Sequence, residues 1–128
     1  MRLQESGEMY LETILILSQR KENVRAIDIC EEMSYSKPSV SRGLKILREN
    51  SYIYIDRNGY ITLSKTGREV AEKIYERHQV LSALLVKIGV DEETATEDAC
   101  RIEHVISAES FAALKKYLKE KGYEPGAE

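Results

Sequence analysis

Apolar positions along the first sixty or so residues come in short groups with helical spacing, each bounded by polar turn formers. Between Glu8 and Gln19, Met9, Leu11, Ile14, Leu15 and Leu17 share a helical face, and Asn23 closes the segment. Ile27, Ile29, Cys30 and Met33 predict a short second helix over Ala26 to Met33, followed by a turn at Ser34-Tyr35-Ser36. A third helix follows. Ser36 or Lys37 caps it, Pro38 suits its first turn, and Val40, Leu44 and Leu47 form its buried stripe until Asn50.

The pattern then changes. Tyr52-Ile53-Tyr54-Ile55 and Tyr60-Ile61-Thr62-Leu63 are β-prone runs separated by Asp56-Arg57-Asn58-Gly59, and Asn-Gly is a strong hairpin signal. Ser64 opens a long helix in which Val70, Ile74, Tyr75, His78, Leu81, Leu84, Leu85 and Ile88 occupy one broad face, with Gly89 as its cap. Asp91 to Ile106 and Ser107 to Lys121 read as two further helices, ahead of a frayed Glu124-Pro125-Gly126 tail. Three helices followed by a hairpin is the order of a winged helix-turn-helix, and an all-helical module completes the chain. The expected fold class is mainly α, with a winged helix-turn-helix over residues 1–64 and a helical domain over residues 65–128, the long helix serving both.

At 128 residues, with 42% apolar and 32% charged positions, the chain is globular and has room for one sizeable core or two small ones, which disfavours a large enzyme. No apolar run reaches the roughly 20 residues that cross a bilayer, and Glu8 and Glu12 interrupt the stretch that follows Met1 to Gly7, where a signal peptide would lie. The expected setting is the cytoplasm, where Cys30 and Cys100, too far apart for a zinc ribbon, stay reduced. The net charge of -3 conceals a segregation. Lys37 to Arg68 holds seven basic residues against two acidic, whereas Asp91 to Glu128 holds ten acidic against five basic, so the two ends suit different tasks.

The basic end carries a nucleic-acid signal. Ser36, Lys37, Pro38, Ser39, Ser41 and Arg42 occupy the start of the second helix of the helix-turn-helix, the part that meets base edges in the major groove. Small hydroxyls permit close approach, Lys37 suits a phosphate, and Arg42 suits a bidentate contact to guanine. Lys45, Arg48 and the hairpin-tip residue Arg57 extend the cationic surface. Singly, such charges are ordinary solvated helix faces; the order of elements makes them a DNA-reading surface.

The acidic end carries a different chemistry. Cys100, Glu103 and His104 stand at i, i+3 and i+4 of one predicted helix, so thiolate, carboxylate and imidazole leave the same face. Met9 and Glu12 are three apart on the first helix, and His78 lies on the inner face of the long one. Six potential metal ligands thus come from three helices. Each alone has a plainer reading: Met9 or a buried cysteine as core filler, Glu12 as a solvated carboxylate, His78 as a hydrogen-bonded core histidine. Cys30, among Ile27, Ile29 and Met33, is assigned to the core. The residues by themselves leave both readings open. Zinc-protease chemistry is rejected because His-Glu-x-x-His is absent, and no catalytic motif supports a metal hydrolase with Glu103 as base, so the chain is not expected to be an enzyme.

Met9-Tyr10-Leu11-Glu12, Ser36-Lys37-Pro38-Ser39-Val40-Ser41, Leu63-Ser64-Lys65-Thr66-Gly67-Arg68, Arg77-His78 and Ala99-Cys100-Arg101-Ile102-Glu103-His104-Val105 together resemble the diphtheria toxin repressor family. That family includes iron-dependent repressors and manganese transport regulators, and the resemblance runs over nearly the whole chain. It implies a metal-dependent transcriptional repressor, a homodimer that binds a palindromic double-stranded operator when loaded with a divalent metal. It also implies that residues 65–128 serve dimerisation and metal binding. Met9, Cys100, Glu103 and His104 match the regulatory site of the iron branch, and Glu12 and His78 match manganese-branch ligands. The manganese branch carries carboxylates where this chain has Met9 and Cys100, and Ser82 and Thr96 stand where the iron branch's ancillary site has a carboxylate and an imidazole. With no SH3-like third domain before Glu128, the resemblance implies a two-domain form with a mixed ligand set.

The expected effector is Fe²⁺, with Mn²⁺ as the alternative and Co²⁺, Ni²⁺ or Zn²⁺ as activators in vitro, since each binds nitrogen and sulfur donors at least as well as iron does. A metal-independent DNA-binding protein of the same fold is the other alternative. Dimer contacts are expected from the last two helices and part of the long one, with Val105, Phe111, Leu114, Tyr117 and Leu118 as the apolar contributors.

Overall fold

In a computed structural model, which describes residues 3–122, the chain is mainly α, with six helices and one two-stranded hairpin. The expected frayed tail at Glu124-Pro125-Gly126 lies outside the described residues. Contacts divide the chain into two units, Met1–Glu72 and Lys73–Glu128, and the division falls within the long helix α4, Lys65–Lys87.

The first unit holds α1 (Glu5–Arg20), α2 (Ala26–Met33), α3 (Lys37–Glu49), β1 (Ile53–Ile55), β2 (Ile61–Leu63) and the start of α4. α1 begins at Glu5 rather than at Glu8, where the apolar pattern starts, because Glu5 and Glu8 in its first turn complement the positive helix end. Leu11, Ile14, Ile29, Val40, Leu47 and Ile53 are fully buried, one or more from each of the three helices and the hairpin. Ser36 caps α3, its Oγ accepting the Ser39 N–H at 3.3 Å, and Pro38 sits in the first turn, where its missing N–H costs nothing.

β1 and β2 pair antiparallel with Ile53 opposite Leu63 and Ile55 opposite Ile61. Five residues join them, and because the Asp56 N–H donates to the Tyr60 carbonyl at 3.1 Å the tip inside that pair is the three residues Arg57, Asn58 and Gly59. The Gly59 N–H donates to the Asp56 carbonyl at 3.0 Å, the Asp56 carboxylate accepts from the Asn58 and Tyr60 N–H groups at 2.8 and 3.0 Å, and Gly59 takes φ +81°, which an L side chain resists. A feature absent from the sequence reading is a bridge from Val24, whose carbonyl accepts the Ile61 N–H at 2.8 Å and ties the α1–α2 loop to the hairpin.

The second unit holds the rest of α4, α5 (Glu92–Ile102) and α6 (Ala108–Glu120). α4 closes with paired bonds from the Gly89 N–H to the Val86 carbonyl at 3.0 Å and from the Val90 N–H to the Leu85 carbonyl at 2.9 Å, with Gly89 at φ +108°. Ile88, read as part of the apolar face, sits in this cap and is 67% exposed.

Two expectations are corrected here. α5 stops at Ile102, not Ile106, and Glu103 to Ile106 form a turn before Ser107 caps α6. Arg77 from α4 takes up the Glu103 and Ile106 carbonyls, so the chain turns without leaving those acceptors stranded. Phe111 and Leu118, expected at a dimer interface, are instead buried with Val80 in this unit's own core, with Leu84 and Ile106 packed against them. α6 spends its apolar stripe on α4. Val105 and Tyr117 remain exposed and Leu114 is half-buried. Among the described residues no helix is long and apolar enough to cross a membrane.

Candidate metal centre and nucleic-acid interface

The cationic surface lies within the first unit. Ser36, Lys37, Pro38, Ser41, Arg42, Lys45 and Arg48 are exposed along α3, Ser39 is half-buried, and Arg57 is exposed at the hairpin tip. Ser36 and Ser39 are partly occupied with each other, their hydroxyls 2.9 Å apart, and the Arg42 Nη2 lies 3.5 Å from the Ser39 Oγ. Among the described residues no carboxylate pairs with Lys37, Arg42, Arg48 or Arg57, and the one pair on this face, Lys45 to Glu49 at 3.9 Å, is exposed and weak. The face is therefore net positive among the described residues.

α3 is set by what lies beneath it. A Cβ on Gly43 would stand 2.4 Å from Tyr10 Cε2, so the helix seats its glycine directly on the Tyr10 ring of α1. Burial pushes the Tyr10 hydroxyl above its ordinary titration range; it stays protonated and points at the Ser39 carbonyl, 3.4 Å away. α1 and the first half of α3 are therefore closely packed through this ring. Two potential ligands, the half-buried Met9 and the buried Glu12, stand on α1 beside Tyr10.

The second unit supplies the other four. Glu103 is wholly buried in the turn after α5, and its two carboxylate oxygens face two imidazoles. Oε2 lies 2.8 Å from Nδ1 of His78, and Oε1 lies 3.4 Å from Nε2 of His104. The His104 side chain is fully covered, and that of His78 is mostly so. Cys100 is a half-buried thiol on the last turn of α5. Glu103 is the C-cap of α5, still in helical conformation with its N–H donating to the Ala99 carbonyl at 2.9 Å, and His104 follows it in the turn, while His78 comes from α4.

The donor set fits a divalent transition metal. A buried carboxylate costs several kcal/mol, roughly, unless cations or strong donors compensate it. Neutral imidazole, thiolate and carboxylate are together the ligands of intermediate metals such as iron, cobalt and zinc.

Sequence reasoning missed the role of Arg77. It is 8% exposed, and its Nη1 donates to the Glu103 carbonyl at 3.2 Å and to the Ile106 carbonyl at 2.9 Å. The signal was present: Ile74, Arg77 and Leu81 fall at i, i+3 and i+7, which puts a cation in an apolar stripe.

Residues 2–67 match the family model described as iron dependent repressor, N-terminal DNA binding domain, and residues 64–126 match that described as iron dependent repressor, metal binding and dimerisation domain. The chain is 33% identical over 118 residues to the HTH-type transcriptional regulator MntR of Geobacillus kaustophilus, covering 90% of this chain and 84% of that protein. It is 30% identical over 124 residues to the diphtheria toxin repressor of Corynebacterium diphtheriae, covering 96% of this chain and 55% of that one. Among solved structures, the manganese regulator SloR matches with a TM-score of 0.80 at 30% identity, over 88% of this chain and 53% of that chain. The chain spans about half the length of SloR and of two other metal-dependent regulators whose solved structures it matches.

Proposed function

The chain belongs to the iron-dependent repressor family, a family of metal-dependent transcriptional repressors, and from that premise we propose that it is a cytoplasmic homodimer that binds a palindromic double-stranded operator when loaded with a divalent metal, Fe²⁺ in the cell. It has no catalytic step of its own. Residues 1–64 read DNA, and residues 65–128 dimerise and carry most of the metal ligands. The observation that carries this reading is the buried Glu103 carboxylate lying between His78 and His104, in a chain whose α3 exposes Lys37, Arg42 and Arg48 with no carboxylate paired to them among the described residues.

The ligand set we assign is Met9, Glu12, Cys100, Glu103 and His104, with His78 contributing either directly or by orienting Glu103. When bound, a divalent metal supplies a centre that holds these donors in one arrangement. Met9 and Glu12 fix α1, and Tyr10 with Gly43 passes that constraint to α3. A two-fold dimer must present its two reading helices about 34 to 36 Å apart, or a multiple of that, so an ordered α3 is what the operator selects. The loaded state is favoured by its differential affinity for that arrangement alone. Cys100 binds as thiolate and the histidines bind neutral, so loading releases protons and activation weakens as pH falls.

The preference for iron rests on the sulfur of Cys100 and Met9, which are softer than the carboxylates that suit manganese. Glu12 and His78 are the features that favour the manganese alternative. The test is anaerobic binding to a duplex selected from a random pool, titrated with Fe²⁺ and Mn²⁺. Fe²⁺ should act at the lower free concentration, and Cys100→Ala should blunt it. A native response to Mn²⁺ at lower concentration, or an unaltered response in Cys100→Ala, contradicts the assignment.

On the DNA side, Arg42→Ala should relax preference at one operator position at a cost of about 1 to 3 kcal/mol, while Lys37→Ala weakens all sequences alike. A specific-to-nonspecific ratio unchanged by Arg42→Ala removes it from base reading.

A further inference from the structure

Buried arginines ordinarily pair with carboxylates. Arg77 does not: among the described residues no carboxylate forms an ion pair with it, and its buried Nε has no hydrogen-bond partner. Its guanidinium instead spends one nitrogen on two main-chain carbonyls, those of Glu103 and Ile106, and lies 5.5 Å from the centroid of the Phe111 ring. Those two carbonyls bracket the turn that carries Glu103 and His104. The next residue on α4, His78, meets the Glu103 side chain at 2.8 Å. Adjacent residues of α4 therefore hold the same glutamate twice, Arg77 by its backbone and His78 by its carboxylate.

We propose that Arg77 is a positioning residue for the metal centre, fixing the Glu103–Ile106 turn so that Glu103 and His104 are presented as ligands before any metal arrives. The assignment rests on the metal-binding reading of these residues. A ligand that must be ordered on binding subtracts that ordering from the affinity, so a turn already held by Arg77 binds more tightly than a loose one. The sign of the effect separates this role from simple electrostatics. Removing a neighbouring positive charge would by itself strengthen cation binding, whereas removing a clamp weakens it.

The test uses the full chain with native, Arg77→Lys and Arg77→Met proteins. Lysine keeps the charge and reaches one carbonyl at a time, and it serves if the methionine variant fails to fold. In the metal-free proteins, the Glu103, Val105 and Ile106 amides should exchange with solvent at least about tenfold faster in both variants, while the interior amides of α4 and α6 keep native protection. In a Co²⁺ titration followed by thiolate-to-cobalt charge transfer, the midpoint should rise about tenfold or more in Arg77→Met and less in Arg77→Lys, as for loss of a supporting contact behind a ligand. A native band with an unshifted or lowered midpoint in Arg77→Met, or native exchange rates in the turn, overturns the positioning role alone. A native chain that gives no band under any Co²⁺ loading overturns the metal reading and the role of Arg77 with it.

Discussion

Glu103→Gln should weaken metal-activated operator binding by about a hundredfold or more, a loss beyond the 10- to 100-fold typical of a ligand's supporting contact. The same variant should leave the stability of the metal-free fold within about 1 kcal/mol of native, because glutamine keeps the shape of the side chain and its ability to hydrogen-bond. The native carboxylate is fully buried, with Oε2 2.8 Å from His78 and Oε1 3.4 Å from His104. Losing its charge removes a desolvation cost along with an attraction, and the two nearly offset in the metal-free chain. In the loaded chain nothing offsets the loss of an anionic ligand. Urea denaturation without metal, paired with metal-titrated DNA binding, separates the two terms. A glutamine variant with native metal response would show that Glu103 serves packing rather than coordination.

Gly67→Ala should destabilise the first unit by about 3 kcal/mol or more, combining overpacking with loss of a helix cap. The sign is informative, since alanine is the better helix former by about 1 kcal/mol in an open helix. Here a Cβ would stand 2.0 Å from the Tyr52 carbonyl oxygen and 3.0 Å from its carbon, both backbone atoms. That carbonyl accepts the Ser64 N–H at 3.0 Å and the Ser64 hydroxyl at 3.0 Å, and the same hydroxyl accepts the Gly67 N–H at 3.0 Å to cap α4. Moving the carbonyl aside breaks the cap, and leaving it in place forces the clash. A denaturant midpoint within error of native, at unchanged slope, would mean that the junction relaxes freely.

Much of this fold is legible because it is decided locally. Ser36 followed by Pro38 specifies the start of α3 within one turn, and Asp56 through Gly59 specifies the hairpin within four residues. The end of α5 is not legible locally. Ala99, Ile102 and Ile106 continue a helical apolar spacing, yet α5 ends at Ile102, and the carbonyls of the turn that follows are taken up by Arg77, on another element and 26 and 29 residues away. The apolar stripe of α6 was visible, but a stripe does not say whether it covers the chain's own α4 or a second copy; Phe111 and Leu118 cover α4. Among the candidate ligands, the residue types and the membership of His78 and Glu103 in one constellation were readable, and the direct contact of Nδ1 of His78 with the Glu103 carboxylate was not, since it depends on how α4 meets the turn. Gly67 was noticed only as part of a motif, because its reason is a carbonyl on the far side of the hairpin.

The most direct test of the central claim is one titration: binding of the native chain to a duplex selected from a random pool, first with a chelator and then with Fe²⁺ returned anaerobically. The account predicts that sequence-specific binding falls by at least about tenfold under chelation, in line with the 1 to 3 kcal/mol that couples an effector to a second site, and returns as metal is restored. Equal specific affinity in the chelated and metal-loaded protein would contradict it.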